Sequence, residues 1–550
     1  MSKKFDLEDK YVYELLETSY FFKVPDYQRE YSWDNSQIDD FISDVIKIYE
    51  NKDIDKYFFG ALVLIRDQSN NKKHYIVDGQ QRLTTILIFL SVIKENLSDQ
   101  YEKNIIQDNY LKTIDGNYKL ELNKNNEGFF KLFIQSPNSS KIKEDLKKEP
   151  NNSNKLIFKA YKRFEKQIEK YIKDKSIRDK NIFLLEIKRC LIEKVNFVKI
   201  DNENEEIASL IFKVLNTRGK GLTEDEIIKN EVIWKCKKDE REDIILIWNN
   251  LLDSFYEKFS DNFFYSYILN YNLIQKSELI RDFEDRVENG DITFINFALN
   301  LKEDIEILHN LRFPKSNFFK NRDLLNDINT INGFKVEQIY LLLLASYKKN
   351  FYFKEVLEIS KKFVFKNKFS KNLPFKSRPL IHSLSKKIIN EEFKNHSDLK
   401  LIKNELFKLH NSEDQIKINF FQDGMSDKLL FTIMMKINGF SSEDYNLEHI
   451  FPKKKASEKF TQDFNEIKAK RNFGINFISN STIIAEKDNL KASSRNFEEK
   501  LNFYKNERNY FLKSNAQIVH LTKKSTKFDI NFIESYEKFI WKEVKSIFLD

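Results

Sequence analysis

A short run near the C-terminal end of the chain carries groups that could hydrolyse a phosphodiester. Glu448 and His449 are adjacent in the run Asn-Leu-Glu-His-Ile-Phe-Pro. This chemistry needs a base that activates water and a divalent cation that holds the phosphate, and a carboxylate beside an imidazole offers both. No second histidine lies near His449, so a metal site here would use a single histidine. A structural role for a lone histidine stays open at this point.

Two asparagines and several basic residues follow this pair. Asn480 lies in the apolar stretch 475–484, which predicts a strand, and Asn489 comes nine positions later, before a helical stretch. The chain has a net charge of +8, and half of it falls within residues 453–500. The candidates for contact with a phosphate backbone are Lys453, Lys454, Lys455, Lys491 and Arg495. An ordinary solvated basic face would have the same composition.

Another candidate site is the run Asp78-Gly79-Gln80-Gln81-Arg82, at a predicted turn from a strand into a helix. Exposed N–H groups at a helix start favour phosphate, and arginine and glutamine add donors. Two other runs could join it: Tyr27-Gln28-Arg29 with Trp33, and Asn216-Thr217-Arg218-Gly219. The alternative is a helix start whose Gln and Arg side chains tie down neighbouring loops. The chain has no P-loop motif, so any nucleotide binds by another device.

The elements that must position these residues are mostly helices. With 41% hydrophobic residues the 550-residue chain can build real cores, which excludes disorder throughout. Only 11 glycines and 7 prolines disfavour a barrel or sandwich. The predicted strands are 22–25, 57–65, 74–77 and 195–200. The predicted helices near the Asp78–Arg82 run are 34–49, with Asp34 and Gln37 as a capping box, and 80–96.

The rest of the chain divides by composition. Residues 123–155 are rich in Asn, Lys, Ser and Pro, which favours a surface insertion or loop. Helices are predicted at 156–173, 182–194 and 207–215, and amphipathic helix dominates from 230 to 436. No stretch is long and apolar enough for a membrane span, and the N-terminus is not typical of a secretory signal, so we expect a cytoplasmic protein. Two cysteines are too few for a four-cysteine zinc site.

The motifs in the first 235 residues resemble, in order, the DGQQR family typified by the GmrS half of GmrSD modification-dependent restriction enzymes. The resemblance rests on Pro25 to Arg29 with Trp33, on Asp78 to Arg82, and on Ile211-Phe212 through Asn216, Arg218, Gly219, Leu222 and Lys229-Asn230. It implies a ParB-like α/β domain that binds and hydrolyses a nucleoside triphosphate, GTP or ATP. By this resemblance Asp78 would position a metal or water, and the nucleotide would be held by Gln28, Arg29, Asp78, Gly79, Gln80, Gln81, Arg82, Asn216 and Arg218.

The C-terminal pattern resembles the HNH, or His-Me finger, nuclease domain found fused to GmrS-like domains. That resemblance implies a ββα fold in which His449 is the general base and Asn480 braces the loop that orients it. Glu448 and Asn489 would hold a single Mg²⁺ or Mn²⁺, with Asn496 as a rival ligand. The chain departs from the family at Ser479, where glycine is usual, and at Ser481, which replaces a common leucine.

Together these features predict an α+β, predominantly helical protein with three parts. Residues 1–235 would form the nucleotide-binding domain, 236–436 a helical transmission region, and 437–550 the HNH-like nuclease. The predicted function is a nucleotide-regulated, metal-dependent endonuclease that cuts or nicks modified double-stranded phage DNA. No membrane partner is expected, and both a monomer and a homo-oligomer stay open. Two alternatives are a nuclease whose N-terminal domain senses nucleotide without hydrolysing it, and a DNA-binding regulator with an inactive nuclease domain.

Overall fold

The computed structural model describes residues 6–137, 154–202, 211, 223–255, 257–271, 273, 275–370, 374–439, 444–453, 458–492, 495–523 and 527–550. These residues form two compact units. One contains residues 1–250 and 283–298, and the other contains residues 251–282 and 299–550. The described part of the chain is mostly helical with two sheets, which agrees with the predicted α+β class. No helix within the described ranges is long and apolar enough to cross a membrane.

The first unit is built on a six-stranded sheet. Its strands are β1 Asp6–Tyr11, β2 Phe21–Lys23, β3 Tyr57–Arg66, β4 Lys73–Asp78, β5 Leu120–Glu121 and β6 Val195–Asn202. Their order across the sheet is β1-β6-β3-β4-β2-β5. The β1–β6 and β3–β4 pairs are antiparallel, and the other three pairs are parallel. The four predicted strands are confirmed, although β2 ends two residues before Pro25.

Helices cover one face of this sheet and enclose the larger core. They are α1 Val12–Leu16, α2 Asn35–Glu50, α3 Gln80–Asn96, α4 Gln100–Ile106, α5 Lys124–Phe130, α6 Lys155–Ile172 and α7 Ile177–Lys194. Two π-helical turns, Gln107–Leu111 and Lys131–Gln135, extend α4 and α5. The predicted capping box at α2 is confirmed, because Asp34 and Gln37 bond reciprocally at its start. The other face carries a smaller apolar cluster around Val63, Val77 and Trp234.

The prediction of a surface insertion at 123–155 is wrong for its first part. Residues 124–135 form α5 and a π-helical turn, and Phe130, Phe133 and Ile134 are buried in the larger core. The many polar residues of this segment give it the composition of a loop. The helix is stabilised because its few aromatic and aliphatic side chains are buried. Residues 138–153 lie outside the described ranges, as does almost all of the helix predicted at 207–215.

Helices confirm the prediction for residues 230–436 wherever the chain is described. They are α8 Glu224–Lys235, α9 Lys238–Phe255, α10 Phe259–Tyr271, α11 Leu279–Glu288, α12 Phe294–Arg312, α13 Arg322–Phe334, α14 Ile339–Lys348, α15 Phe353–Phe369, α16 Pro374–Ile389, α17 His396–Phe407, α18 Glu413–Gln422 and α19 Asp427–Asn438. Apolar residues are buried along these helices, and in α14 the whole stretch from Leu341 to Ala345 is buried.

The second unit ends in a mixed segment. A hairpin of β7 Tyr445–His449 and β8 Ser481–Ala485 is accompanied by α20 Glu458–Lys470, α21 Glu486–Ala492, α22 Phe497–Tyr504, α23 Glu507–Tyr510, α24 Lys513–Leu521 and α25 Ile530–Phe548. The last helix returns to the helical region, where the ring of Phe548 stacks on Phe365 with centroids 4.6 Å apart. The hairpin segment belongs to the same compact unit as the helical residues 299–438.

Candidate functional site

The first candidate site begins where β4 turns into α3. Gly79 links the two elements with a φ of +96°, a conformation that favours glycine. A Cβ atom at this position would lie 2.7 Å from the Leu62 side chain and 3.1 Å from the carbonyl oxygen of Ala61. Glycine is therefore required both by the dihedral angle and by the close approach of β3. The helix that follows presents its first N–H groups beside Asp78.

Glutamine side chains attach the segment around Tyr27–Ser32 to this turn. Gln28 Nε2 donates to the Val77 carbonyl at 3.0 Å, and Gln80 Nε2 donates to the Arg29 carbonyl at 2.9 Å. Gln81 makes a pair of bonds, donating to the Glu30 carbonyl at 3.1 Å and accepting from the Ser32 N–H at 2.8 Å. The motif at Gln28 and the motif at Gln80-Gln81 are thus parts of one site, held together by side chain to backbone bonds.

Two arginines of the site are accessible and each is paired with a carboxylate. Arg82 donates to Asp78 Oδ2 at 3.0 Å and to the Ala61 carbonyl at 2.8 Å, and it lies over Gly60, where a Cβ atom would collide with it. Arg29 Nη1 lies 3.7 Å from Glu226 Oε1. Both guanidinium groups keep between a quarter and a third of their side-chain surface exposed, so an anionic ligand can reach them.

Helix α8 closes the site from another side. Trp234 packs edge-on against Tyr27 and donates from Nε1 to its hydroxyl at 3.3 Å. Asn249, which the sequence did not single out, donates to the Asp26 carbonyl at 3.2 Å and accepts from Lys229 at 3.4 Å. Lys229 is thus linked through Asn249 to the backbone beside Tyr27. The predicted residues Asn216 and Arg218 lie outside the described ranges.

The second candidate site is the end of the β7–β8 hairpin. The strands pair antiparallel, with Glu448 opposite Thr482 and His449 opposite Ser481. The strand predicted at 475–484 starts later than expected, because residues 478–480 form a 3₁₀ turn and β8 begins at Ser481. Asn480 therefore lies in that turn. A bond from the Asn480 side chain to the Ile475 carbonyl at 2.9 Å stabilises this turn.

Asn480 is fully buried and spans the loop after His449. Its Oδ1 accepts from the Phe451 N–H at 2.7 Å, and its Nδ2 donates to the carbonyls of Phe451 and Ile475 at 3.1 and 2.9 Å. Its own carbonyl accepts from the Ile450 N–H at 2.9 Å. The carboxamide and backbone of this one residue fix the two residues that follow the histidine.

The imidazole of His449 is largely buried, and the carboxylate of Asp427 lies near it without a hydrogen bond. Its Nε2 has no hydrogen-bond partner among the described residues and lies 3.8 Å from Asp427 Oδ1. Asp427 is itself held by Lys453, whose Nζ lies 2.6 and 2.7 Å from its two oxygens. Burial, helped by the charge of Lys453, lowers the pKa of His449 to about 4. The histidine is therefore neutral near pH 7, the form a general base requires.

Glu448 is buried and paired with a buried lysine that the sequence did not single out. Lys500 donates to Glu448 Oε1 and, at 2.7 Å, to the carbonyl oxygen of His449. Burial raises the pKa of Glu448 and lowers that of Lys500, while their mutual attraction opposes both shifts. In sequence, Lys500 looks like the solvated face of a helix that starts Asn-Phe-Glu-Glu-Lys.

The remaining predicted residues lie on α21 and around it. Asn489 is half-buried on α21, next to Asp488, which accepts from Asn509 at 2.9 Å. The rival ligand Asn496 caps α22, because its Oδ1 accepts from the Glu499 N–H at 2.9 Å. Lys491 and Arg495 are exposed, whereas Lys454 and Lys455 lie outside the described ranges. No group of three or more His, Cys, Asp or Glu residues in the described parts could hold a metal ion.

Comparison with known proteins bears on the first of these sites. No curated protein matches the chain. Residues 12–233 match the family described as GmrSD restriction endonuclease, N-terminal domain. The match includes Gln28, Arg29 and the run from Asp78 to Arg82, and it ends far before the hairpin of the second site. Residues 12–233 of this chain are therefore similar to the N-terminal domain of GmrSD restriction endonucleases.

Proposed function

We propose that this protein is a nucleotide-regulated, metal-dependent endonuclease that cuts or nicks modified phage DNA. The N-terminal match supports a role in the restriction endonuclease family. The observation that carries the nuclease part is the buried imidazole of His449 at the end of β7, with the next two residues fixed by Asn480. A fixed neutral base is what attack by water on a phosphodiester needs.

In the proposed reaction His449 takes a proton from the attacking water. Asn480 keeps the loop, and with it the imidazole, from shifting as charge develops. Glu448 and Asn489 would hold Mg²⁺ or Mn²⁺, and a bound cation supplies Lewis-acid stabilisation of the phosphate. Carboxylate and carboxamide oxygens are donors that Mg²⁺ accepts, with waters and substrate phosphate completing its shell, and the cation would share Glu448 with Lys500.

Basic side chains near the hairpin would contact the DNA backbone. The exposed residues Lys491 and Arg495 are the strongest candidates of the described part, and the sequence adds Lys453, Lys454 and Lys455. Lys453 is already paired with Asp427, so its contact with phosphate would release that carboxylate. Such contacts supply affinity that falls with salt and carry no sequence information.

The N-terminal domain would bind and turn over GTP or ATP at the Asp78–Arg82 turn. We assign the phosphates to Arg29, Arg82 and the N–H groups at the start of α3, with Asp78 positioning a metal or water. Binding would exchange the Arg82–Asp78 and Arg29–Glu226 pairs for pairs with phosphate. Gln28, Gln80 and Gln81 would act mainly by holding the Tyr27–Ser32 segment in place.

A cleavage assay with two histidine variants tests the nuclease part. The protein is incubated with Mg²⁺ and with modified or unmodified phage DNA, with and without GTP or ATP. His449→Ala should abolish cutting and leave nucleotide turnover intact. His520→Ala is the matched control, because His520 is an exposed histidine of the same unit. Cutting retained in His449→Ala would refute the assignment of the base.

A second candidate is a nuclease whose N-terminal domain senses nucleotide without hydrolysing it. In this alternative Asp78 would keep its hydrogen bond with Arg82 when nucleotide binds, so the carboxylate would position neither a metal nor a water. Release of phosphate from GTP or ATP by the wild-type protein, lost in Asp78→Asn, would exclude it. Cutting that responds to nucleotide without phosphate release would establish it.

A further inference from the structure

Lys500 occupies a position in α22 where the pattern calls for an apolar residue. Phe497, Leu501 and Tyr504 are buried on the same face of the helix, and the Lys500 side chain has no exposed surface. Removing an ammonium group from water is unfavourable unless the charge is paired and hydrogen-bonded. An apolar side chain of similar volume would fill this space without that cost.

The partners of Lys500 are two consecutive residues of the proposed nuclease site. Its ammonium group binds the carboxylate of Glu448 and the backbone carbonyl of His449. Asn480 binds the backbone of the next two residues from the other direction. The four residues from Glu448 to Phe451 are thus fixed by one lysine and one asparagine that are distant from them in sequence.

We propose that Lys500 is a positioning residue of the nuclease site, an inference that rests on the proposed function. By holding the His449 carbonyl it fixes the backbone from which the imidazole projects. By pairing with Glu448 it balances the buried carboxylate, so that this group stays in place before any cation binds. Displacing a catalytic group by about 1 Å can cost about 100-fold in rate, so loss of Lys500 should act on the chemical step.

The test compares Lys500→Met with Lys505→Met. Lys505 is exposed and lies just beyond the same helix, so its variant removes a nearby lysine that does not contact the hairpin. Two quantities are measured on the full chain: the single-turnover cleavage rate at saturating DNA, and the imidazole signals of ¹³C-labelled histidine. The chain has seven histidines, and the His449 signal is identified by its loss in His449→Ala.

Lys500→Met should slow cleavage by about 100-fold, with the DNA concentration for half-saturation unchanged within about threefold. It should also shift the His449 imidazole signal and leave the signals of distant histidines unchanged, whereas Lys505→Met changes neither quantity. A merely structural lysine would lower thermal stability without this selective effect on rate and on one histidine. Wild-type cutting and an unshifted His449 signal in Lys500→Met would overturn the proposal.

A second variant covers the outcome in which Lys500→Met does not fold. Glu448→Gln combined with Lys500→Met removes both charges and leaves no buried ion without a partner, so it should fold. Its His449 signal should still be shifted, and an unshifted signal would refute the proposal. The imidazole signals also separate the two levels of inference. If the wild-type protein cuts no DNA, the nuclease function fails, but the signals still decide whether Lys500 positions His449.

Discussion

Gly79 offers a direct test of the geometry at the first site. Gly79→Ala should destabilise the N-terminal unit far more than Gly116→Ala does. Both glycines have positive φ, +96° and +84°, so both substitutions carry a similar backbone strain. Only at Gly79 does the new methyl group meet neighbours, at 2.7 Å from Leu62 Cδ1 and 3.1 Å from the Ala61 carbonyl oxygen. Around Gly116 a Cβ atom would have nothing within 4 Å.

The expected magnitudes follow from these distances. An alanine in the left-handed region costs about 1 to 2 kcal/mol, which is the whole effect at Gly116. Forcing a methyl group into a packed interior adds about 1 to 3 kcal/mol, because Leu62 and the β3 backbone must move. Gly79→Ala should therefore lower the free energy of unfolding by roughly 2 to 5 kcal/mol, and the gap between the variants should be about 2 kcal/mol.

Urea unfolding followed by tryptophan fluorescence measures this gap. Three of the four tryptophans, Trp33, Trp234 and Trp248, lie in the unit that contains both glycines. Phosphate release from nucleotide, measured on the folded variants, should fall in Gly79→Ala and stay near wild type in Gly116→Ala. Equal transition midpoints for the two variants would refute the argument that β3 blocks a side chain at position 79.

Three further results are expected. Gln80→Ala removes the donor to the Arg29 carbonyl, so it should cost about 1 kcal/mol and weaken nucleotide binding measured by calorimetry. Because the pKa of His449 is about 4, the pH–rate profile of cleavage should show no protonation step between pH 5 and 7, and an apparent pKa near 6.5 in the wild-type profile would contradict it. Burial lowers the pKa of Lys119 to about 7 from 10.5, so between these pH values the unfolded chain binds the extra proton. Wild-type stability should therefore rise from pH 7 to 9 relative to Lys119→Met, and parallel curves would exclude this titration.

Local signals in the sequence were sufficient for most elements around the first site. The capping box at Asp34 and Gln37 and the helix Gln80–Asn96 lie where the pattern predicts them. A cap depends on residues three positions apart, and a buried helix shows itself as a long apolar run. The glycine at position 79 could be predicted as a joint, but its contact with Leu62 could not, because it depends on how β3 pairs with β4.

Elements fixed by distant partners were harder to predict. The segment 124–135 is helical because Phe130, Phe133 and Ile134 find a core built by other helices, which its polar composition does not reveal. The start of β8 is displaced because Asn480 bonds the backbone of Phe451, far back in the chain. Lys500 was missed for the same reason: its partners, Glu448 and His449, are about 50 residues away.

Gln80 and Gln81 can brace the neighbouring loop and still belong to a site that binds phosphate. A carboxamide nitrogen carries two N–H groups, and the bond from Gln80 to the Arg29 carbonyl uses one of them. That bond fixes the segment that carries Arg29, whose guanidinium is the group able to pair with a phosphate. Since Gln28 ties the same segment to the strand that ends at Asp78, binding of nucleotide at Arg29 and Arg82 would act on one connected structure. In the proposed site, the bonds of the glutamines would hold the segment that carries Arg29 against the turn that carries Arg82.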